Sequence, residues 1–440
     1  MRDIFVTAVV FGTLPFVLSR PYVGILLWTW VSFMNPHRLC WGFAYDFPFA
    51  MIVALVTLIS MLISHEPKKI PWTRETVILL IFVLWMVVTT IFSVYPILAW
   101  PQLEKVAKIQ LMVFVTMMLM QNKERLNLLV WVLALSLAFY GVKGGIFTIT
   151  HGGIYHVKGP PNTFIGGDNE MGLALIMTIP LLRYLQLITT RLWLRYAMTA
   201  AIMLSALAAI GSQSRGAMLG MAAMGVFFWL KSRNKLFTSL LAAVAAALIL
   251  MTMPQQWFDR MSTIENYQQD PSAEGRINAW KMALNLAKDR PLGGGFEAFQ
   301  PGMFAIYAPQ PWNVHDSHSI YFEVLGEHGF FGLFLFLMLG LMVWRTASWI
   351  IKHARGDPEN RWAADLAAMV QVSLVGYGSA GAFLGLANFD LYYTLIAVVV
   401  LCKTVLVARQ AARNIESAHD TAGQPVKVLP SGGDPQHEAI

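Results

Sequence analysis

Thirteen apolar stretches, most of them near the length that crosses a bilayer, constrain this chain more than any other feature. They fall at roughly 4–19, 22–35, 46–64, 76–94, 103–120, 127–149, 170–189, 195–212, 215–231, 236–253, 329–350, 363–384 and 388–408. A spanning helix needs about 20 mostly apolar residues. In hydrocarbon every backbone polar group must be satisfied inside the chain, so stretches of this kind pack as a helix bundle. Charged residues make up only 13% of the sequence, against roughly 25% in soluble domains. The fold class expected is an all-α polytopic membrane protein. Arg20-Pro21 interrupts the first two stretches, because proline breaks the helical hydrogen-bond ladder. The two stretches form either a tight hairpin or one broken element, which gives 12 or 13 helices; counting 4–35 as one crossing, the preferred reading, gives about 12 transmembrane helices and a cytoplasmic N-terminus, with the first apolar stretch retained rather than cleaved.

Basic residues set the expected orientation. His65, Lys68, Lys69 and Arg74 share one connection, and Lys123 with Arg125 another; Arg191, Arg195, Arg233, Arg355 and Arg361 follow on alternate connections. That face reads as cytoplasmic, and the net charge of +7 then needs no nucleic-acid partner. Membrane lipids are the partners such residues meet first. The expected organisation is N-terminal membrane helices over 1–253, a large loop on the non-cytoplasmic face over 254–328, C-terminal membrane helices over 329–408 and a disordered cytoplasmic tail over 409–440. A loop of that size is usually functional or disordered. This one is rich in aromatic residues and glycine, and residues 273–288 carry a helical rhythm through Ile277, Trp280, Ala283 or Leu284, and Ala287. Asp289-Arg290-Pro291 stops that helix.

Four groups on the non-basic face can bear chemistry. Arg215 sits between two apolar helices with almost no loop, either as a snorkelling side chain that meets lipid phosphate or as an anion clamp. Arg276 lies one turn before Trp280, on a solvated helix face or beside a site. His315 and His318 share one face if their segment is helical. No further ligands stand at metal-site spacing, so a general base taking a proton from a hydroxyl suits them better than a metal, and a capping role is the plainer alternative. Asp168, Asn169 and Glu170 read as a helix N-cap with a favourable charge. Lys143, inside an apolar stretch, either snorkels or borders a polar cavity. Cys40 and Cys402 lie far apart, with neither disulfide nor metal spacing. No phosphate-binding glycine loop or dinucleotide fingerprint is present, so no nucleotide cofactor is expected.

Several short motifs in a fixed order complete the reading. They are Ser214-Arg215-Gly216, Gly275-Arg276-Ile277-Asn278-Ala279-Trp280, Pro291-Leu292-Gly293-Gly294-Gly295-Phe296, His318-Ser319-Ile320-Tyr321-Phe322 and Leu325-Gly326-Glu327-His328-Gly329, with the Asn169–Pro180 stretch before them. Together they resemble the O-antigen ligase and O-antigen polymerase superfamily. The N-terminal residues 1–6 and Asn35-Pro36-His37-Arg38 resemble its branch of O-glycosylation ligases associated with exosortase systems. Ser319 stands where the family often has asparagine.

The resemblance implies a GT-C-like bundle in the bacterial inner membrane whose site faces the periplasm. It implies metal-independent transfer of a glycan from an undecaprenyl-diphosphate donor, without cofactor, to a lipid A–core sugar. Protein O-glycosylation and glycan polymerisation use the same donor with other acceptors, and a transporter of lipid-linked sugars is the reading from a different class. Carried onto this chain, Arg215 and Arg276 grip the diphosphate and His318 activates the acceptor hydroxyl. His315, Lys143, Trp280, Tyr321 and Glu327 are candidates for substrate contact, Glu327 either orienting His318 or opening the next helix.

Overall fold

The computed structural model describes residues 1–231 and 271–422 and, between them, residues 235, 236, 239, 240, 243, 253–255, 257 and 258. Side chains are described up to residue 413, except those of 231, 271 and 272. The expected span 236–253, the first part of the loop (259–270) and the last part of the tail (423–440) fall wholly or largely outside them. The described residues are all-helical, without strands. Among the described residues, eight helices are long and apolar enough to cross a membrane. These are α1 (Arg2–Ser19), α4 (Arg74–Ile91), α6 (Lys123–Thr150), α7 (Asp168–Ile188), α8 (Leu192–Gly211), α12 (Ile320–Ala354), α13 (Arg361–Ala380) and α14 (Asp390–Ala422). Three shorter apolar helices join them: α2 (Pro21–Met34), α3 (Phe49–Ile63) and α9 (Arg215–Lys231). α5 (Pro96–Leu119) is as long, but carries Glu104, Lys105 and Lys108 near its middle. The chain is a multi-pass membrane protein.

The first two helices fold back on one another. At one end the Asp3 carboxylate accepts from the backbone N–H groups of Gly42 and Ala44, at 3.0 and 3.2 Å. At the other the Ser60 hydroxyl donates to Val17 O at 2.6 Å. α1 and α2 are therefore an antiparallel hairpin, not the single crossing expected for 4–35. Apolar periodicity marks a helix but not its direction, and Pro21, at the first position of α2, starts a new helix as readily as it ends an old one.

The hairpin puts the two ends of the described chain at opposite ends of the bundle. Arg20, the 64–73 connection, Lys123, Arg125 and Arg413 gather at one end. There Arg125 bridges Glu66 at 2.7 Å and covers the Tyr22 ring, and Arg413 pairs with Asp357 at 2.5 Å. Asp3 lies at the opposite, non-basic end. α14 runs on to Ala422, past residue 409 where the tail was expected to begin.

Small residues let the helices approach. Gly145 of α6 lies directly against the Leu204 backbone of α8, and Gly141 against Ser205. In lipid, where no hydrophobic force drives helices together, such close backbone packing holds them.

On the non-basic end α10 (Pro271–Asp289) and α11 (Pro301–Tyr307) form a small layer with its own core. Ala279, Met282 and Leu286 pack on Ala298, Met303 and Phe304. Burying a large side chain of this kind stabilises by about 1.5–3 kcal/mol. The buried face runs through 279, 282, 283, 286 and 287. The expected rhythm through 277, 280, 283 and 287 was rotated by part of a turn, which leaves Trp280 at the edge of the core.

Candidate functional site

The site is assembled where α10 meets the start of α12. Asn278 is buried and ties the turn at 310–313 to α10. Its amide nitrogen donates to Gln310 O and Asn313 O, and its amide oxygen accepts from Gln310 N. His315 then lies over Gly275, where an added Cβ would fall 2.6 Å from the ring Nε2. The Trp280 indole donates to Ser317 O at 2.8 Å and stacks on Phe322, with ring centroids 4.9 Å apart. Asp316 accepts from Ser317 N. These contacts hold residues 313–318 outside any helix, so His315 and His318 do not share a helical face as expected. Contacts with α10, invisible to a local pattern, decide the conformation.

His318 adopts φ +42°, a left-handed value that few non-glycine residues take. Its side chain is 38% exposed and its Nδ1 lies 4.0 Å from Asp316, so the ring is reachable from outside. Burial, above all, holds the imidazole below its ordinary value of 6.5. Asp316 opposes this, and Arg276 and His315 add to it. The ring is therefore neutral at pH 7 and can accept a proton. The sign is clear for stability too. The folded chain binds this proton less readily than the unfolded one, so stability declines as pH falls below 6.5. A rate that depends on neutral His318 should show an acid limb centred below 6.5 and a plateau above it. A pH profile of kcat/KM checks this, and a midpoint above 7 would remove His318 as the titrating base.

Arg215 is the first residue of α9, after a tight turn in which Gln213 takes φ +56°. Ser214 caps the helix by accepting from Ala217 N at 3.2 Å. The next residue, Gly216, packs under Ala380 O and Phe383, and Phe383 in turn lies against Trp280, with ring centroids 6.4 Å apart. This chain of contacts brings the α9 N-terminus to the α10 face that holds Arg276 and Trp280.

The remaining candidates divide. Tyr321 is half-buried and donates to Gly378 O at 2.8 Å. Glu327 is buried and accepts from Glu297 N at 2.9 Å, which fastens the 293–297 loop. It neither contacts His318 nor opens α12, which begins at Ile320. Lys143 is exposed on α6 and lies apart from this group. Asp168 does not cap α7, whose N-cap is Gly167. It meets His156 Nδ1 at 2.7 Å, a pair twelve residues apart that the capping pattern concealed.

Two glycine motifs prove architectural. α12 breaks at Gly329 (φ +68°, ψ −172°), and a Cβ there would collide with Pro291 O. Gly294 N and Gly295 N donate to Gly326 O and Glu327 O at 2.8 and 2.9 Å. His328 is buried against α4, its Nδ1 2.7 Å from the Thr89 hydroxyl and its carbonyl accepting from the Trp85 indole.

Beside Asp316 opens a cavity of about 590 Å³, which His318 does not line. Glu170, Glu297, Asp316, Glu323, Glu327 and Lys105 line it, from five separate parts of the chain. Glu323 accepts from Ala387 N at 3.1 Å. Among the described residues no three His, Cys, Asp or Glu side chains are grouped so as to hold a metal ion.

Residues 200–337 match the O-antigen ligase family, and residues 1–190 match a family of unknown function. No curated protein matches the chain. The first match takes in Arg215, Arg276, His315, His318 and Glu327, together with the α10 layer and the break in α12. The O-antigen ligase domain over residues 200–337 supports membership of the O-antigen ligase and O-antigen polymerase superfamily.

Proposed function

We propose that this protein is an O-antigen ligase of the inner membrane, with a GT-C-like bundle and a site facing the periplasm. It transfers a glycan from undecaprenyl diphosphate to a sugar hydroxyl of lipid A–core. The observation that carries this reading is the grouping at the non-basic end. A neutral, reachable His318 stands beside Arg276, within the segment that matches the ligase family.

The chemistry follows from the charges. The acceptor hydroxyl oxygen attacks the anomeric carbon of the donor sugar, and the bond from that carbon to the diphosphate oxygen breaks. His318 takes the hydroxyl proton. The diphosphate leaves with the bonding electrons, and its growing negative charge is met by Arg215 and Arg276. Preorganised donors aimed at developing charge are worth most where water is excluded. Arginine presents a planar fork to phosphate oxygens, and two of them supply what a divalent ion supplies elsewhere. A single in-line displacement inverts the anomeric centre.

Arg215→Ala and Arg276→Ala each remove a charge-assisted contact worth about 1.5–3 kcal/mol. Each should therefore lower kcat/KM for the lipid-linked donor by roughly 10–100-fold, with the KM for acceptor little changed. Steady-state kinetics with purified protein and lipid-diphosphate glycan measure both. Equal loss for donor and acceptor would mean that the arginines support the fold and do not hold the diphosphate.

A further inference from the structure

We propose that Glu327 and His328 share one proton between Oε2 and Nε2, and that the pair so joined is a positioning element. It fixes α10, which carries Arg276, against the start of α12. The shared proton stands by itself, while the positioning role rests on the transfer reaction proposed above.

The two side chains face each other in a closed part of the packing. They are 8% and 1% exposed, and Glu327 Oε2 lies 3.8 Å from His328 Nε2. Each of these two atoms is shut off from solvent and has no hydrogen-bond partner. The other polar atom of each side chain is engaged. Glu327 Oε1 accepts from Glu297 N at 2.9 Å. His328 Nδ1 lies 2.7 Å from the Thr89 hydroxyl, which itself donates to Met86 O at 3.1 Å. The threonine proton is thus committed, so Nδ1 carries the imidazole hydrogen and Nε2 presents a lone pair. An ionised Glu327 would set a carboxylate oxygen against that lone pair, two acceptors with nothing to donate. Protonating the imidazole as well would leave an ion pair in apolar surroundings, for the Phe82 and Phe296 rings meet His328 edge-on, with centroids 6.2 and 4.7 Å away. Buried charges so far apart, with no further hydrogen bonds, are costly. A proton on Oε2 removes both difficulties, because a carboxylic acid donates. The gap is about 1 Å longer than a hydrogen bond, and the proton supplies the attraction that closes it.

Residues 326–328 are where the parts around the site are joined. Gly294 N and Gly295 N donate to Gly326 O and Glu327 O, Glu297 N donates to the Glu327 side chain, and the Trp85 indole of α4 donates to His328 O. A Cβ at Gly326 would fall 2.9 Å from the Phe299 ring and 3.3 Å from Ala283 of α10. Ala283 lies two turns beyond Arg276 on that helix. Trp280, between them, holds Ser317 O beside His318. With the proton in place, Glu327 is held from both sides, and the 293–297 loop and α10 keep one register against α12. Without it, Oε2 repels Nε2, and the carboxylate is drawn off Glu297 N. Glu327 acts through these contacts and not on the substrate.

The test is infrared difference spectroscopy on the full-length protein in lipid nanodiscs at pH 7, wild type against Glu327→Gln and His328→Leu. The wild type is expected to show the carbonyl stretch of a protonated carboxylic acid that Glu327→Gln lacks. His328→Leu should move that band to higher frequency, as its hydrogen bond is lost. Equal spectra of wild type and Glu327→Gln in this region would mean an ionised Glu327 and overturn the proposal. A band unmoved in His328→Leu would overturn it too, since the proton would then belong to Glu327 alone. Single-turnover transfer reads the positioning role. Glu327→Ala should slow it by about tenfold or more, the effect of a buried polar group left unpaired. Glu327→Gln keeps an oxygen for Glu297 N and brings an N–H for His328 Nε2, so it should restore the rate to within roughly threefold of wild type. A loss as deep in Glu327→Gln as in Glu327→Ala would overturn the positioning role. If Glu327→Ala fails to fold, the infrared comparison carries the test. The infrared band in a protein that turns over no donor would remove the transfer reaction alone and leave the shared proton standing.

Discussion

His318→Ala is expected to lower the transfer rate by about 10²–10⁴-fold, the usual contribution of a positioned general base, while the protein still binds donor. The expectation follows from three properties of this side chain. It is held by the turn that Trp280 and Asn278 pin to α10. It is exposed enough to meet a substrate. Its environment keeps it neutral, since burial and the nearby Arg276 both disfavour the imidazolium. The other nearby histidines are placed differently: His328 is buried and bonded to Thr89, and His315 is turned onto Gly275 of α10. His315→Ala should accordingly cost far less than His318→Ala. Single-turnover kinetics with pre-bound donor separate the chemical step from binding. A His318→Ala protein that transferred at the wild-type rate would place the base elsewhere.

The second large effect is on the fold. Gly329→Ala is expected to destabilise the protein by about 2–6 kcal/mol, from a backbone region open essentially to glycine alone and from overpacking against a neighbour. Helix propensity would suggest the opposite, since alanine is favoured over glycine by roughly 0.5–1 kcal/mol inside a helix. Gly329 is not inside a regular helix, although both flanks are helical. Its Cα lies against Pro291 O, and the break allows the Gly293–Gly295 loop to bond Gly326 and Glu327. Gly12→Ala is the control, because an added methyl in α1 meets nothing within 4 Å. Thermal unfolding in one detergent, with both variants side by side, gives the comparison. If Gly329→Ala matched Gly12→Ala, the break would not be a fixed feature of α12.

The bundle was legible because its constraint is global. Hydrocarbon demands long apolar helices, and each expected stretch among the described residues falls on a helix. The layer over the bundle was legible only in part. The α10 helix was visible in its rhythm, but its face was misjudged, since Trp280 is drawn to the edge by Ser317 O and Phe322 and not by the core. The candidate arginines and His318 stood out as polar residues in unusual places. What they share, a common end of the bundle, depends on contacts such as Gly216 with Phe383 that join residues far apart in sequence. The carboxylates of the cavity were harder still. Glu170 looked like an ordinary charge at a helix start, and Glu323 and Glu297 had no signal of their own. Only the packing of α5, α7 and α12 makes them neighbours. The direction of α1 and α2 was likewise fixed by Asp3 and Ser60, two polar contacts that hydropathy does not register.

The most direct measurement is transfer by the purified protein from an undecaprenyl-diphosphate glycan to lipid A–core, with a chelator present throughout. The expected result is one free undecaprenyl diphosphate for each glycan joined, an inverted anomeric linkage, and no loss of rate in chelator. Passage of the intact lipid-linked glycan across a bilayer without its consumption, or a rate abolished by chelator and restored by a divalent ion, would contradict it.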